Sequence, residues 1–236
     1  MQAAREWLRQ ARSIAVLTGA GVSAESGVPT FRGAGGLWRR HRAESLATPE
    51  AFARDPKLVW EWYDWRRGVL ADVTPNPGHY ALAELERRCP NFALITQNVD
   101  GLHELAGSRN VLRVHGSIWM LRCLDCECEA ENRRSPLGKL PPRCECGGML
   151  RPGVVWFGEP LPSEVWKRAE AAARSCELLL VIGTSAVVYP AAGLSRLAKS
   201  SGARVMEINI AETPLSRDID EFLLGPSGEL LPQLIA

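Results

Sequence analysis

Five of the seven cysteines crowd between Cys123 and Cys146, and this crowding limits the fold more than any other feature of the chain. Cys123-x-x-Cys126, then 17 intervening residues, then Cys144-x-Cys146 comes close to the spacing of a tetrahedral zinc site made of two thiolate pairs. With no secretory leader in view, such crowding favours a metal over disulfides. The second pair has one intervening residue where two are usual, so Cys128 stands as a substitute ligand. Four thiolates leave no open position for water, so the metal would hold the segment together and take no part in catalysis. From Cys123 to Gly148 the helix and strand periodicities disappear and Cys, Pro, Gly and mixed charge take over. The segment reads as a small insertion, and its excess of acids over bases makes it a poor nucleic-acid finger.

The remainder is ordinary globular material. Of 236 residues, 46% are hydrophobic and 23% charged, which excludes disorder, collagen and coiled coil. A net charge of +1 supplies no basic field for phosphate backbones, so no direct nucleic-acid binding is expected. The longest uncharged stretch, Leu178 to Ser195, is interrupted by Gly183, Thr184, Ser185, Pro190 and Gly193, and no membrane span is expected. Arg5, Arg9 and Arg12 followed by Ile14 to Leu17 imitate a leader faintly, but the apolar part is too short; the start reads as mature and cytoplasmic.

Outside the cysteine segment the pattern alternates. A helix is expected over Gln2–Arg12 and a buried strand over Ile14–Leu17, ending at Thr18-Gly19. Pro49 to Leu70 lacks strand alternation, and Pro56 would start a helix over Lys57–Leu70. Then come a helix over His79–Cys89 and strands over Phe92–Thr96 and Val111–Val114. Past the insertion, a helix over Glu164–Ser175, a strand over Leu178–Ile182, a helix over Ala191–Lys199 and a strand over Val205–Ile208 follow. This is the α/β rhythm of a parallel sheet.

The strand at Ile14 runs into Gly19-Ala20-Gly21-Val22-Ser23-Ala24, which fits the G-x-G-x-x-G/A fingerprint in which glycines let backbone N–H groups approach a pyrophosphate. A bare match is equally a glycine-rich turn. The following Glu25 to Arg40 holds Gly27, Pro29, Gly33, Gly35 and Gly36 where a crossover helix belongs, so it reads as a flexible loop able to close over a dinucleotide with Phe31 and Arg32. Two other strands deliver polar residues to the same sheet edge: Thr96-Gln97-Asn98-Val99-Asp100, suited to a ribose and a carboxamide or to capping a helix from Gly101, and His115 after Val114.

Taken in order, Gly19 to Gly27, Pro29-Thr30-Phe31-Arg32, Thr96 to His103, Val114-His115-Gly116-Ser117 and Gly183-Thr184-Ser185 resemble the NAD-dependent protein deacylases called sirtuins, over nearly the whole chain. The resemblance implies a Rossmann-like NAD-binding part from residues 1–38, 75–115 and 152–236, a helical part from 39–74 and a zinc-binding part from 116–151, with NAD and an acylated-lysine protein meeting in the cleft of a monomer. It implies that Gly19, Ala20, Gly21, Ser23, Glu25, Phe31, Arg32 and Trp38 line the NAD site and its loop. Gln97, Asn98, Val99 and Asp100 would surround the nicotinamide ribose and carboxamide, with Asn98 and His115 catalytic. Gly183, Thr184, Ser185, Asn209, Ile210, Ala211 and Ser227 would hold the adenosine half. Cys123, Cys126, Cys144 and Cys146 would bind the zinc. Val154, Trp156 and Phe157, within Leu150–Glu159, would meet the substrate peptide, by strand addition alongside Val187–Tyr189. The implied chemistry has the acyl oxygen displace nicotinamide from its ribose. His115 then removes a proton from a ribose hydroxyl that attacks the resulting imidate, and water releases lysine and O-acyl-ADP-ribose.

Tyr63 and Arg66 lie three apart on one helix face and match the Tyr-x-x-Arg of class III sirtuins, which remove succinyl and malonyl groups. A guanidinium and a phenol at the bottom of a lysine channel would give charge-assisted donors to a carboxylate. From position alone Arg66, like Arg67, reads as a solvated helix residue. The alternatives are a deacetylase, a protein ADP-ribosyltransferase using the same NAD site, and a non-catalytic zinc-ribbon module.

Overall fold

The computed structural model describes residues 1–30, 37–38 and 41–236, with the backbone alone at 37–38. Phe31 and Arg32 therefore lie outside the described residues, as does the Trp38 side chain, and so does most of the glycine-rich loop.

In chain order the first elements are α1 (Gln2–Gln10), β1 (Ser13–Thr18), α2 (Gly21–Ala24), β2 (Leu37–Trp38), β3 (His41–Arg42), α3 (Ala43–Leu46), α4 (Pro49–Arg54) and α5 (Pro56–Ala71). There follow α6 (Pro77–Arg88), β4 (Asn91–Thr96), α7 (Leu102–Leu105), β5 (Val111–Arg113), β6 (Gly116–Cys123), β7 (Glu129–Glu131) and β8 (Leu150–Val154). The chain closes with α8 (Ser163–Ser175), β9 (Leu178–Ile182), α9 (Gly193–Ser200), β10 (Arg204–Asn209), β11 (Glu221–Leu224) and α10 (Ser227–Ile235).

Six strands form one parallel sheet in the order β11-β10-β9-β1-β4-β5. Its central strands are largely apolar because both faces are covered. Ile14 and Val16 of β1, with Leu178, Leu180 and Ile182 of β9, point into a cluster shared with α1, α6 and α10. Ala15 and Leu17, with Leu179 and Val181, point the other way, against α8 and α9. The chain leaves β1 in one direction for β4 and β5, then returns to β1's other side with β9, so the strand order switches between β1 and β9. Ligands of open α/β sheets bind outside the carboxyl ends of strands at such a point. The α/β architecture with a smaller appended part is as the sequence implied.

The third cluster belongs to the appended part, where α3, α4 and α5 pack on an antiparallel sheet ordered β7-β6-β8. Two helix starts there are fixed locally: Thr48 accepts from the Ala51 N–H, Asp55 accepts from the Leu58 N–H, and a proline occupies the first turn of each helix. Some expected boundaries move. The first helix stops at Gln10 because Ala11 is already extended, the 191–199 helix begins at Gly193 after a turn, and β5 ends one residue before Val114. The sheet of β6, β7 and β8, the strand β11 and the helix α10 carried no clear sequence signal; α10 even holds an internal proline, Pro232. Among the described residues no helix is long and apolar enough to cross a membrane.

Candidate active site

A cleft of about 720 Å³ lies outside the carboxyl ends of β1, β4, β9 and β10 and is walled on its other side by α5 and the chain after β8. Where β1 and β9 end side by side, their turns touch. The Gly21 N–H donates to the Gly183 carbonyl at 2.8 Å. A Cβ on Gly183, whose φ is +59°, would meet the Val22 nitrogen at 2.4 Å, and one on Gly21 would meet the Gly183 carbonyl oxygen at 2.7 Å. Only bare backbone fits both sides of this crossing, and it leaves Gly19, Ala20 and Gly21 along the cleft with Gly183, Thr184 and Ser185 opposite.

Thr184 ties the strand ends together. Gln97 Nε2 donates to its hydroxyl at 3.1 Å, and Asn209 Nδ2 donates to its carbonyl at 2.8 Å. Asn209, Ile210 and Ala211 continue the wall. Behind Asn209, the fully buried Glu207 accepts from the hydroxyls of Thr213 and Ser216 at 2.7 and 2.6 Å and so fixes the turn that follows.

Asn98 lines the cleft, and a buried network holds it from beneath. Its Nδ2 donates to Ser23 Oγ at 3.1 Å, and Ser23 donates to Asp100 Oδ2 at 2.8 Å. His79 Nδ1 accepts from the Asn76 N–H, which places that ring's proton on Nε2, 3.3 Å from Ser23 Oγ. Burial pulls the His79 pKa down to about 4, so the ring is neutral and donates to Ser23. Asp100 also accepts from the Leu102 N–H at 2.9 Å, and burial raises its pKa against these donors. Its carbonyl takes the Trp119 indole N–H at 2.6 Å, which links this buried network to β6.

His115 follows β5, half-buried, with Nδ1 3.1 Å from the Gln97 carbonyl. A carbonyl only accepts, so Nδ1 carries the proton and Nε2 keeps its lone pair. Burial lowers the pKa, opposed by the bond to Gln97, so the free-base form prevails near neutral pH.

Tyr63 and Arg66 both reach the cleft from α5, and both are buried. Burial raises the Tyr63 pKa well above the phenol range, so the hydroxyl stays protonated. Val154, Trp156 and Phe157 line the same end, opposite Val187 and Tyr189. Arg67 corrects the sequence expectation of a solvated side chain. It is fully buried, donating to the carbonyls of Ile118 and Arg134 at 2.7 and 2.8 Å and stacking 5.0 Å from the Trp119 ring.

Among the described residues, four of the expected NAD-site set do not line the cleft. Ser23 and Asp100 lie under Asn98. Glu25 instead accepts from the Gly228 N–H at 2.7 Å and the Ser227 hydroxyl at 3.4 Å, tying α10 to the first βα turn. Ser227 is buried by that contact. Sequence reasoning missed His79, Glu207 and Trp119. Only the Asn76/His79 cap carried a local signal.

Away from the cleft, the thiols of Cys123, Cys126, Cys144 and Cys146 all lie within 4.8 Å of one another. Tetrahedral zinc with bonds of about 2.3 Å needs sulfurs roughly 3.8 Å apart. The Cys123–Cys146 and Cys126–Cys144 separations are 3.5 and 3.7 Å, and the N–H groups of Asp125 and Gly148 point at Cys123 and Cys146 sulfur at 3.4 Å, so the set fits a structural zinc. Cys128 stands beside it, 3.3 Å from Cys126 and 3.4 Å from Cys144.

Residues 19–190 match the model of the Sir2 family. Relatives include the NAD-dependent protein deacylase 2 of Pyrobaculum aerophilum, 56% identical over 97% of this chain and 92% of its own length. The NAD-dependent protein deacylase of Aquifex aeolicus is 56% identical over 88% of this chain and 87% of its own. Among solved structures, a Sir2 homolog–NAD complex superimposes with a TM-score of 0.95 at 48% identity, covering 99% of this chain and 92% of that one. A Sir2 bound to an acetylated peptide superimposes with a TM-score of 0.89 at 28% identity, covering 100% and 97%.

Proposed function

Because this chain belongs to the Sir2 family and is an NAD-dependent protein deacylase, we propose that its preferred substrates are proteins carrying succinyl- or malonyl-lysine, with deacetylation as the slower activity. The observation that carries this reading is the pair of buried donors, Tyr63 and Arg66, side by side on α5 at the cleft. A guanidinium offers planar, charge-assisted donors that a carboxylate accepts and a neutral acetyl methyl does not. The protonated phenol adds a second donor to the same anion.

Bound NAD supplies the ADP-ribose that takes up the acyl group. The residues of this chain supply the setting. Gly19–Gly21 let backbone approach the pyrophosphate, and Gly183–Ser185 with Asn209–Ala211 flank the adenosine. Gln97, Asn98 and Val99 hold the nicotinamide end, with Ser23 and Asp100 keeping Asn98 in place. His115 Nε2, kept unprotonated by burial and oriented by the Gln97 carbonyl, takes the proton from a ribose hydroxyl. Val154, Trp156 and Phe157 line the wall along which an extended acyl-lysine peptide would lie.

The test is a paired assay with NAD and one peptide bearing either acetyl- or succinyl-lysine, products read by mass spectrometry. Faster succinyl removal that is lost in Arg66→Met supports the proposal. Faster acetyl removal, indifferent to that change, sinks it.

A further inference from the structure

We infer that Arg151 and Glu159 are positioning residues for acyl selectivity, acting through Trp156 on the Tyr63 hydroxyl. The inference rests on the acidic-acyl reading of Tyr63 and Arg66 and names the device that makes Tyr63 a donor.

Tyr63 Oη accepts a hydrogen bond from the Trp156 indole nitrogen at 2.9 Å, and both residues line the cleft. An indole N–H can only donate, so this contact occupies the phenol oxygen as an acceptor and leaves its own hydrogen for a ligand oxygen. Accepting a bond also polarises the O–H, which strengthens its donation to an anion. Without the indole, the phenol has a choice of roles; with it, the Tyr63 hydroxyl serves a carboxylate.

The indole is itself fixed by an ion pair on either side of it in sequence. Arg151 and Glu159 pair through two hydrogen bonds, Nη1 to Oε1 at 2.6 Å and Nη2 to Oε2 at 2.9 Å. The Arg151 guanidinium also lies 3.5 Å from the centre of the Trp156 ring. The same Glu159 Oε2 accepts the Trp156 backbone N–H at 2.8 Å. One residue thus holds the ring and the other the backbone of Trp156, and each holds its partner. Although burial works against it, the donors from Arg151 and Trp156 keep the Glu159 carboxyl below its ordinary range, so the pair stays charged. Because Glu159 neutralises Arg151, the guanidinium acts as a brace and adds no net positive charge at the acyl end. Phe52, 5.1 Å from the Trp156 ring, closes the packing.

The experiment compares succinyl- and acetyl-lysine peptides on full-length wild type, Trp156→Phe, Arg151→Met, Glu159→Gln and Tyr63→Phe, with KM and kcat separated. Trp156→Phe keeps a ring and deletes only the N–H. The expected result is a rise of roughly tenfold in the succinyl-peptide KM for Trp156→Phe, the effect of one hydrogen bond to a charged group, with a smaller rise for Arg151→Met. Glu159→Gln, which keeps an acceptor for the Trp156 N–H, should fall between wild type and Arg151→Met. In each, the succinyl-to-acetyl ratio of kcat/KM falls. A merely structural role would lower both substrates in parallel, and that result overturns the inference. In the Tyr63→Phe background, Trp156→Phe should leave the ratio where Tyr63→Phe put it; a further fall would show that the indole acts by another route. A wild type without any succinyl preference removes the reading on which the inference rests. A wild type with that preference, unmoved by Trp156→Phe, removes the inference alone.

Discussion

Beneath the sheet side of the cleft, Asn98, Ser23, Asp100 and His79 answer one another's hydrogen bonds and rest on strands buried on both faces. Between β6 and β8 the situation is reversed. Residues 124–136 and 143–147 are mostly exposed, few apolar side chains are buried there, and the segment converges on a cluster of thiols. The first region is held by burial and by polar groups that satisfy each other. The second converges on a set of like groups that only a cation can hold together. The two nevertheless meet, because Trp119 of β6 donates its indole N–H to the Asp100 carbonyl and Arg67 of α5 stacks on the same ring.

The strongest way to break this comparison is to take the metal away. Chelation, or Cys123→Ser, should unfold the 116–154 segment, with a loss on the order of 10 kcal/mol from that region. Amide hydrogen exchange would show protection lost in β6, β7 and β8 and kept in β1, β9 and β10. Deacylation would fall with it as the Trp119 contact to Asp100 lets go. Cys128→Ser should leave one zinc per chain. If the six-stranded sheet melted together with the loop, the two regions would be a single stabilising unit and the contrast would be wrong.

Second in size is the loss at His115. Replacement by Tyr should lower turnover by about 10²- to 10⁴-fold, the range for a positioned general base. NAD binding and the thermal midpoint should stay close to wild type, since the ring is half-buried and its one bond goes to the Gln97 carbonyl. Full activity in that variant would move the base elsewhere on the sheet edge.

The difference between the regions also governs what could be read from the chain. The strand over Leu178–Ile182 stands where the pattern put it, because an apolar run flanked by turns needs no distant partner to be recognised. The thiol spacing is legible for the same reason, as a local pattern with one chemical use. What escaped depends on residues far apart in sequence. Tyr63 meets Trp156 across 93 positions, and Glu25 caps α10 across 203. Arg67 looked like any helix arginine, because its acceptors come from β6 and the segment after β7. Burial of a charged group is decided by which backbone carbonyls the fold leaves without partners, and no window of sequence reports that.

Adjacent arginines sharpen the contrast at a smaller scale. Arg67→Met should destabilise the protein by about 2 kcal/mol, since the Ile118 carbonyl would remain buried without its donor. Arg66→Met should cost less stability and act on acyl preference. Denaturant unfolding of the two variants, with midpoints and slopes compared, checks the first statement. Equal losses would mean that both arginines serve the packing of α5 on β6.

The smallest effect expected is on the acid side of the rate profile, and its sign follows from His115. Burial lowers the pKa of this ring, against the bond to Gln97, from an ordinary value of about 6.5. The unprotonated form, which can act as base, therefore persists below that pH, and activity is lost only as pH falls through the lowered value. Between pH 7.5 and 6.5, kcat/KM should drop by less than about half. A midpoint at or above 6.5 would assign the limb to a different group. Acid also protonates the thiols that hold a metal, and that would remove activity by the other route. Zinc release measured over the same pH range separates the two. A rate that falls while zinc stays bound places the titration on the self-satisfied sheet edge, and a rate that tracks zinc loss places it in the loop.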